Sequence, residues 1–289
     1  MLFDLSDRAK LVLSGADALR FLNGQLTNDV AALAPAHVLY ACALTVKGKL
    51  CADLYVTRLQ DKIYLDCDPV LRDTLRARLE RYIIADDVVL EEADLGLIHW
   101  LGRLDSAKIK NTPSPIQSNR FGIAGVDFWF PNSEKAALLE ALPEPLSGPD
   151  ETEVFRIERG IPRWGTELSE SVIPNEAGLQ NRAISYTKGC YVGQEVISRI
   201  KSIGHVNRHL CGLFTHVEII SGDQLFSDSD GKAVGNVTSV CQSDRVGGII
   251  ALAYVRRGFD KPGSSLEVRR DSGLIGVAEV RSLPFITSE

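Results

Sequence analysis

Cys190 stands in the stretch "KGCYVGQE" (188–195), two residues after Lys188 and between Gly189 and Tyr191. A cysteine does nucleophilic or metal chemistry as its thiolate, and a free thiol titrates near ~8.5. A neighbouring cation and the N–H groups of a helix N-terminus both favour the thiolate, and a tenfold gain in its population is worth about 1.4 kcal/mol. The preceding "ISYT" is β-prone, and Val192, Val196, Ile197 and Ile200 recur at helical spacing. That pattern predicts a strand-to-helix turn with Cys190 near a helix N-terminus and Lys188 supplying the cation. The local residues leave two readings open: a reactive thiol, or a buried one filling a gap at a tight turn.

Other candidates are weaker. Between residues 182 and 209, Arg182, Lys188, Arg199, Lys201 and Arg208 face one acid, Glu195. Such a positive region suits an anionic ligand, and equally a solvated helix face. His205, His209 and Cys211 would share one face of a strand, but no fourth metal ligand stands near them. Asp29 in "TNDV" and Asp53 in "CADLYV" are polar for their surroundings, as turn caps or as ligand acceptors. Loops of the type G-x-x-x-x-G-K-[ST] or G-x-G-x-x-G after a strand are missing, which removes nucleotide hydrolysis and dinucleotide redox chemistry. Cys42, Cys51, Cys67, Cys211 and Cys241 lie in apolar, strand-like contexts, where a reduced thiol behaves as a small hydrophobe.

Several elements must position these groups. "HVLYACALTV" and "KLCADLYVTRL" around Lys47-Gly48 predict a hairpin, "KLVLSG" and "KIYLDC" further strands, and "GADALRFLNGQL" a helix. A helix starts at Pro69 and spans "PVLRDTLRARLERYI" (69–83), since Leu71, Leu75, Leu79 and Tyr82 recur at helical spacing. Residues 104–120, polar and containing two prolines, read as an irregular connection. A helix over "PDETEVFRIERGIP" is bounded by Asp150 as cap, Glu153 three residues on, and Gly160 with Pro162 as the stop. After Gly204 the texture becomes short strands between Gly, Ser and Asp turns, a β-barrel module. The expected organisation is an α+β region over 1–204, in two subdomains, and a barrel domain over 205–289.

A chain of 289 residues buries a large core without disulfides. Its net charge of −6 argues against a globally basic nucleic-acid-binding surface, so no stable direct nucleic-acid contact is expected. Apolar runs are strand-length, and the acidic N-terminus lacks the order of a signal or transit peptide, which points to a cytoplasmic protein with no membrane partner.

"KGCYVGQE" closely resembles the signature of the YgfZ family, folate-binding proteins related to the aminomethyltransferase (T-protein) of the glycine cleavage system. "FLNGQLTNDV" (21–30), "TVKGKLCADLYV" (45–56) and "RIERGIPRWGTELSESVIPNEAGL" (156–179) resemble other landmarks of the wider superfamily. The resemblance covers nearly the whole chain. It implies an α+β class, with two ferredoxin-like portions around a central folate cleft followed by a C-terminal β-barrel. It also implies tetrahydrofolate or another reduced folate as ligand, with Asn28, Asp29, Asp53, Trp164, Glu167, Tyr191, Gln194, Glu195 and Arg199 among its contacts. Cys190 and Lys188 would carry the chemistry.

One departure bears on mechanism. Aminomethyltransferases carry adjacent aspartates where this chain has Ala52-Asp53, and losing a carboxylate leaves fewer groups to position the folate nitrogen. The resemblance therefore implies the accessory branch, which binds folate and supports synthesis or repair of iron–sulfur enzymes, tRNA-modifying ones included. Iron–sulfur client or assembly proteins are the implied partners. Without a Cys₄ set, contact with a cluster would be transient. A genuine one-carbon transferase, and a protein-interaction scaffold with a vestigial folate site, stay open beside it.

Overall fold

A computed structural model describes residues 1–102, 112–227, 231–271 and 273–287. The elements run β1 (Leu2–Asp4), β2 (Ala9–Ser14), α1 (Ala18–Gln25), β3 (Val38–Leu44), β4 (Leu50–Leu59) and β5 (Lys62–Cys67). They continue with α2 (Arg72–Glu80), β6 (Val89–Glu92), β7 (Leu95–Trp100), β8 (Ile116–Ser118), β9 (Gly125–Pro131), α3 (Lys135–Ala141), α4 (Pro149–Glu158) and α5 (Gln194–Ser202). The last six strands are β10 (Arg208–Thr215), β11 (Gln224–Phe226), β12 (Ala233–Ser243), β13 (Gly248–Arg256), β14 (Ser265–Arg270) and β15 (Gly273–Arg281).

The class is α+β, with a five-stranded antiparallel sheet in the order β3-β4-β5-β2-β6 and a four-stranded one in the order β1-β7-β9-β8. The remaining six strands close into an antiparallel barrel, β10-β13-β12-β11-β14-β15. The expected hairpin forms with Gly48 at φ 73°, a left-handed turn position that glycine adopts without strain. Asp68 accepts from the Val70 amide ahead of Pro69, and the helix there stops at Glu80, shorter than its apolar spacing predicts.

Compactness divides the chain into a first unit, Met1–Gly148 with Gln180–Ser198, and a second, Pro149–Leu179 with Arg199–Glu289. Residues 149–179 thus go with the barrel rather than with the first region. The cause is buried polar pairing inside the second unit. Arg156 Nη2 donates to Ser239 Oγ at 2.7 Å, Ser243 Oγ donates to Glu158 at 2.6 Å, and Ile157 packs on Ile250 and Leu252.

The first unit is held between its sheets by Arg120. Its guanidinium donates to both oxygens of Asp66 on β5, at 3.1 and 2.7 Å. It also reaches both oxygens of Asp127 on β9, at 2.7 to 3.1 Å. Both aspartates are fully buried. Burial alone would raise the Asp66 carboxyl, but Arg120 and Arg8 outweigh it and hold the group at about 2.

Three local expectations differ. Pro149 begins α4, so Asp150 lies inside the first turn and does not cap it. Glu153 instead receives Arg156 Nε at 2.8 Å and Arg163 at 3.1 Å, while Gly160 at φ 64° ends the chain's helical course as expected. "ISYT" is not a strand; Ser185 N bonds Thr27 O at 3.0 Å as an isolated contact. Residues 104–111 lie outside the described residues, and the remainder of the stretch to 120 contains the short strand β8.

Candidate functional site

The cysteines sort by exposure. Cys190 is exposed; Cys42, Cys67 and Cys211 are buried, and Cys51 and Cys241 are half-buried. Those five all lie in strands. Burial pushes the thiols of Cys67, Cys211 and Cys241 up to about 12, and that of Cys42 well above the usual thiol range. A gap-filling thiol would be enclosed, and Cys190 is not.

The helix after Cys190 begins only at Gln194, so the thiol sits one turn ahead of α5. Gly193 intervenes at φ 88°, and a Cβ there would come within 2.6 Å of the Thr45 carbonyl. The segment is anchored elsewhere, on the C-terminal end of α1. The last four carbonyls of a helix lack intrahelical partners, and α1 carries no basic residue in its last turn. Lys188 Nζ donates to the carbonyls of Asn23 at 2.5 Å, Leu26 at 2.8 Å and Asn28 at 2.8 Å. Val192 N donates to Gly24 O at 3.3 Å. Lys188 and Val192, flanking Cys190, together close the helix end.

Lys188 therefore faces carbonyls, where sequence reading gives it the role of thiolate cation. Burial depresses its ammonium to about 8, partly offset by Asp29, and the charge lies 5.3 Å from the Tyr191 ring centre. Tyr191 is buried, Gln194 half-buried and Glu195 exposed.

Asn28 is spent within the first unit: its amide donates to Tyr40 O at 2.8 Å and Arg182 O at 3.2 Å, and its Oδ1 accepts from Asp29 N. Asp29 Oδ1 accepts from Ala32 N at 3.3 Å. Asp53, on β4 opposite Cys42, accepts the Tyr40 hydroxyl at 2.9 Å through Oδ2. Its Oδ1 is buried without a hydrogen-bond partner. Burial raises the Asp53 carboxyl, opposed by Arg8 and the Tyr40 hydrogen bond. Arg182 lies over the Tyr40 ring at 5.6 Å and donates to the Asn119 and Arg120 carbonyls. Sequence reasoning missed Tyr40; its one signal is the alternation that puts it on the same hairpin as Asp53.

The second unit holds Trp164, Glu167 and Arg199. Glu167 is buried and fully engaged: Oε1 with Thr238 Oγ1 at 2.7 Å and Ser239 Oγ at 2.6 Å, Oε2 with Arg156 at 3.1 Å and Arg163 N at 3.0 Å. Trp164 is half-buried in the turn before it, and Arg199 is exposed. His209 pairs with Asp260 at 2.5 Å, and Cys211 belongs to the barrel core. Among the described residues no group of three His, Cys, Asp or Glu side chains is placed to hold a metal, and no helix is long and apolar enough to cross a membrane.

Comparison with known proteins identifies the fold's two ends. Residues 1–97 match the GCVT N-terminal domain, and residues 208–286 match the glycine cleavage T-protein C-terminal barrel domain. A tRNA-modifying protein YgfZ of Sodalis glossinidius is 29% identical over 100% of this chain and 94% of its own length. The chain belongs to the YgfZ/GcvT superfamily. Another superfamily relative, an aminomethyltransferase of Streptomyces avermitilis, is 27% identical over 98% of this chain and 86% of its own. The crystal structure of glycine cleavage system aminomethyltransferase T from Bartonella henselae shares the fold, with a TM-score of 0.86 and 23% identity over 99% of this chain and 86% of that one.

Proposed function

We propose that this chain is a folate-binding accessory factor for the synthesis or repair of iron–sulfur enzymes, those that modify tRNA included, acting through the Cys190 thiol. The observation that carries the reading is the exposure of Cys190 against five strand-bound cysteines. Superfamily membership supports the folate, and the relatives named as tRNA-modifying proteins support the client class. An exposed thiol can meet a macromolecular partner, which an enclosed one cannot.

The buried, half-satisfied carboxyl of Asp53 fits a reduced folate. Its free Oδ1 can take an N–H donor of the pterin ring, and Tyr40 fixes the other oxygen. Asn28 and Glu167 have their side-chain atoms engaged within the protein, so Asp53 carries more of this proposal than they do. Bound tetrahydrofolate would supply a one-carbon carrier. This chain's own residues would hold and orient it.

The alternative, an aminomethyltransferase, has Asp53 in its favour and Ala52 against it, since Ala52 offers no second carboxyl. Calorimetry with tetrahydrofolate, followed by an aminomethyl-transfer assay from a lipoyl-carrier donor, tests both. Saturable binding with little or no turnover is expected. Absence of binding by folded protein would sink the folate reading, and turnover like that of a true T-protein would promote the transferase.

A further inference from the structure

We propose that Lys188 is a positioning residue for Cys190: its ammonium caps α1 from outside and so fixes the segment that displays the thiol. This rests on the reading of Cys190 as the working group. The geometry is specific. A helix of eight residues without a basic side chain in its last turn has its Asn23 carbonyl taken by Lys188 and its Gly24 carbonyl by the Val192 amide. Lys188 also gathers the Leu26 and Asn28 carbonyls of the chain leaving the helix. A cation at a helix C-terminus interacts favourably with the macrodipole, and three charge-assisted hydrogen bonds fix its direction.

Cys190 lies midway between the two capping residues. The segment beyond it is seated by Gly193, which packs on the Thr45 carbonyl, and by Val196, which meets Gly48 at the hairpin tip. Gly189 is exposed, and a Cβ there would meet nothing within 4 Å. The thiol is thus presented at the exposed middle of a segment pinned on both sides. All three Nζ donors of Lys188 are engaged by carbonyl oxygens, so none is left to hydrogen-bond the sulfur.

The test compares wild type with Lys188→Gln and Lys188→Arg, the first removing the charge and the second keeping it. Amide hydrogen exchange and the pH profile of Cys190 alkylation are measured on each. Positioning predicts that Lys188→Gln speeds exchange at Val192, Ser185 and Leu26 by about tenfold or more, and that Lys188→Arg recovers part of that protection. Exchange in β4 and β5 should stay unchanged, and the alkylation midpoint should hold. A midpoint higher by about one pH unit with exchange unchanged would make Lys188 an electrostatic activator and overturn the proposal. Uniformly faster exchange through the first unit would also overturn it, in favour of general stability. Neither readout depends on iron–sulfur activity, so the reading of Cys190 itself stands or falls separately, on Cys190→Ala.

Discussion

The Tyr40 hydroxyl holds one oxygen of the Asp53 carboxyl at 2.9 Å, and the other oxygen is buried with no hydrogen-bond partner. The two residues sit on adjacent strands of one hairpin, two positions apart in register, because Cys42 pairs with Asp53. A buried acceptor left unmatched costs free energy, and burial makes this carboxyl keep its proton to higher pH than a free aspartate does. Such a group is costly to the fold and useful to a ligand.

Asp53→Asn should weaken tetrahydrofolate binding by about 10- to 100-fold, the equivalent of one hydrogen bond to a charged group. Calorimetry measures it directly. An unchanged affinity would remove Asp53 from the folate site.

Arg120→Met should destabilise the first unit by about 3–5 kcal/mol, since Asp66 and Asp127 are then left buried without their shared cation. Denaturant melts of the variant check this. A loss below about 1 kcal/mol would mean that Arg8, which also pairs with Asp66, and His99, which also bonds Asp127, compensate the two carboxylates without Arg120.

Acid should unfold the same region. Asp66 is held at about 2 in the folded chain, against roughly 3.9 for a free aspartate. A depressed carboxyl contributes stability that is complete above its unfolded value and is lost as pH falls through the folded one. The melting temperature should therefore drop between about pH 4 and pH 2, and Asp66→Asn should flatten that part of the curve. An equal drop in the variant would assign acid sensitivity to other carboxyls.

Gly189 and Gly193 should separate. Gly193→Ala forces a side chain at φ 88° and within 2.6 Å of the Thr45 carbonyl, and should cost stability by about 1 kcal/mol or more. Gly189→Ala adds a methyl group in open space and should melt like wild type. If a partner approaches Cys190 closely, Gly189→Ala should still lower complementation in cells. Full complementation by Gly189→Ala would show that no partner packs against this side of the thiol.

Much of the fold was legible because its signals are local. The hairpin follows from alternation around Lys47-Gly48, and the end of α4 from Gly160 followed by Pro162. Three-residue strands such as β8 and β11 hold too few residues to show a period. The β-branched and aromatic residues of 184–187 favour strand, yet Ser185 makes an isolated backbone bond to Thr27 and no ladder. Asp150 has the residue type of a cap, but Pro149 occupies the first helical position, which no side-chain pattern distinguishes from the cap. Its glycines mark Cys190 as distinct in the sequence, whereas the sequence places Lys188 as its cation. The bonds from Lys188 to Asn23, Leu26 and Asn28 join residues 160 or more apart in sequence, which no local pattern can show.

The central claim is that the exposed thiol of Cys190 is the working group of this protein. The most direct measurement is iron–sulfur enzyme activity in cells that lack the native protein and carry either wild type or Cys190→Ala. The substitution removes a sulfur from an exposed turn, so the variant should fold and bind folate as wild type does. The prediction is recovery with wild type and none with Cys190→Ala. Full recovery with Cys190→Ala would contradict the account.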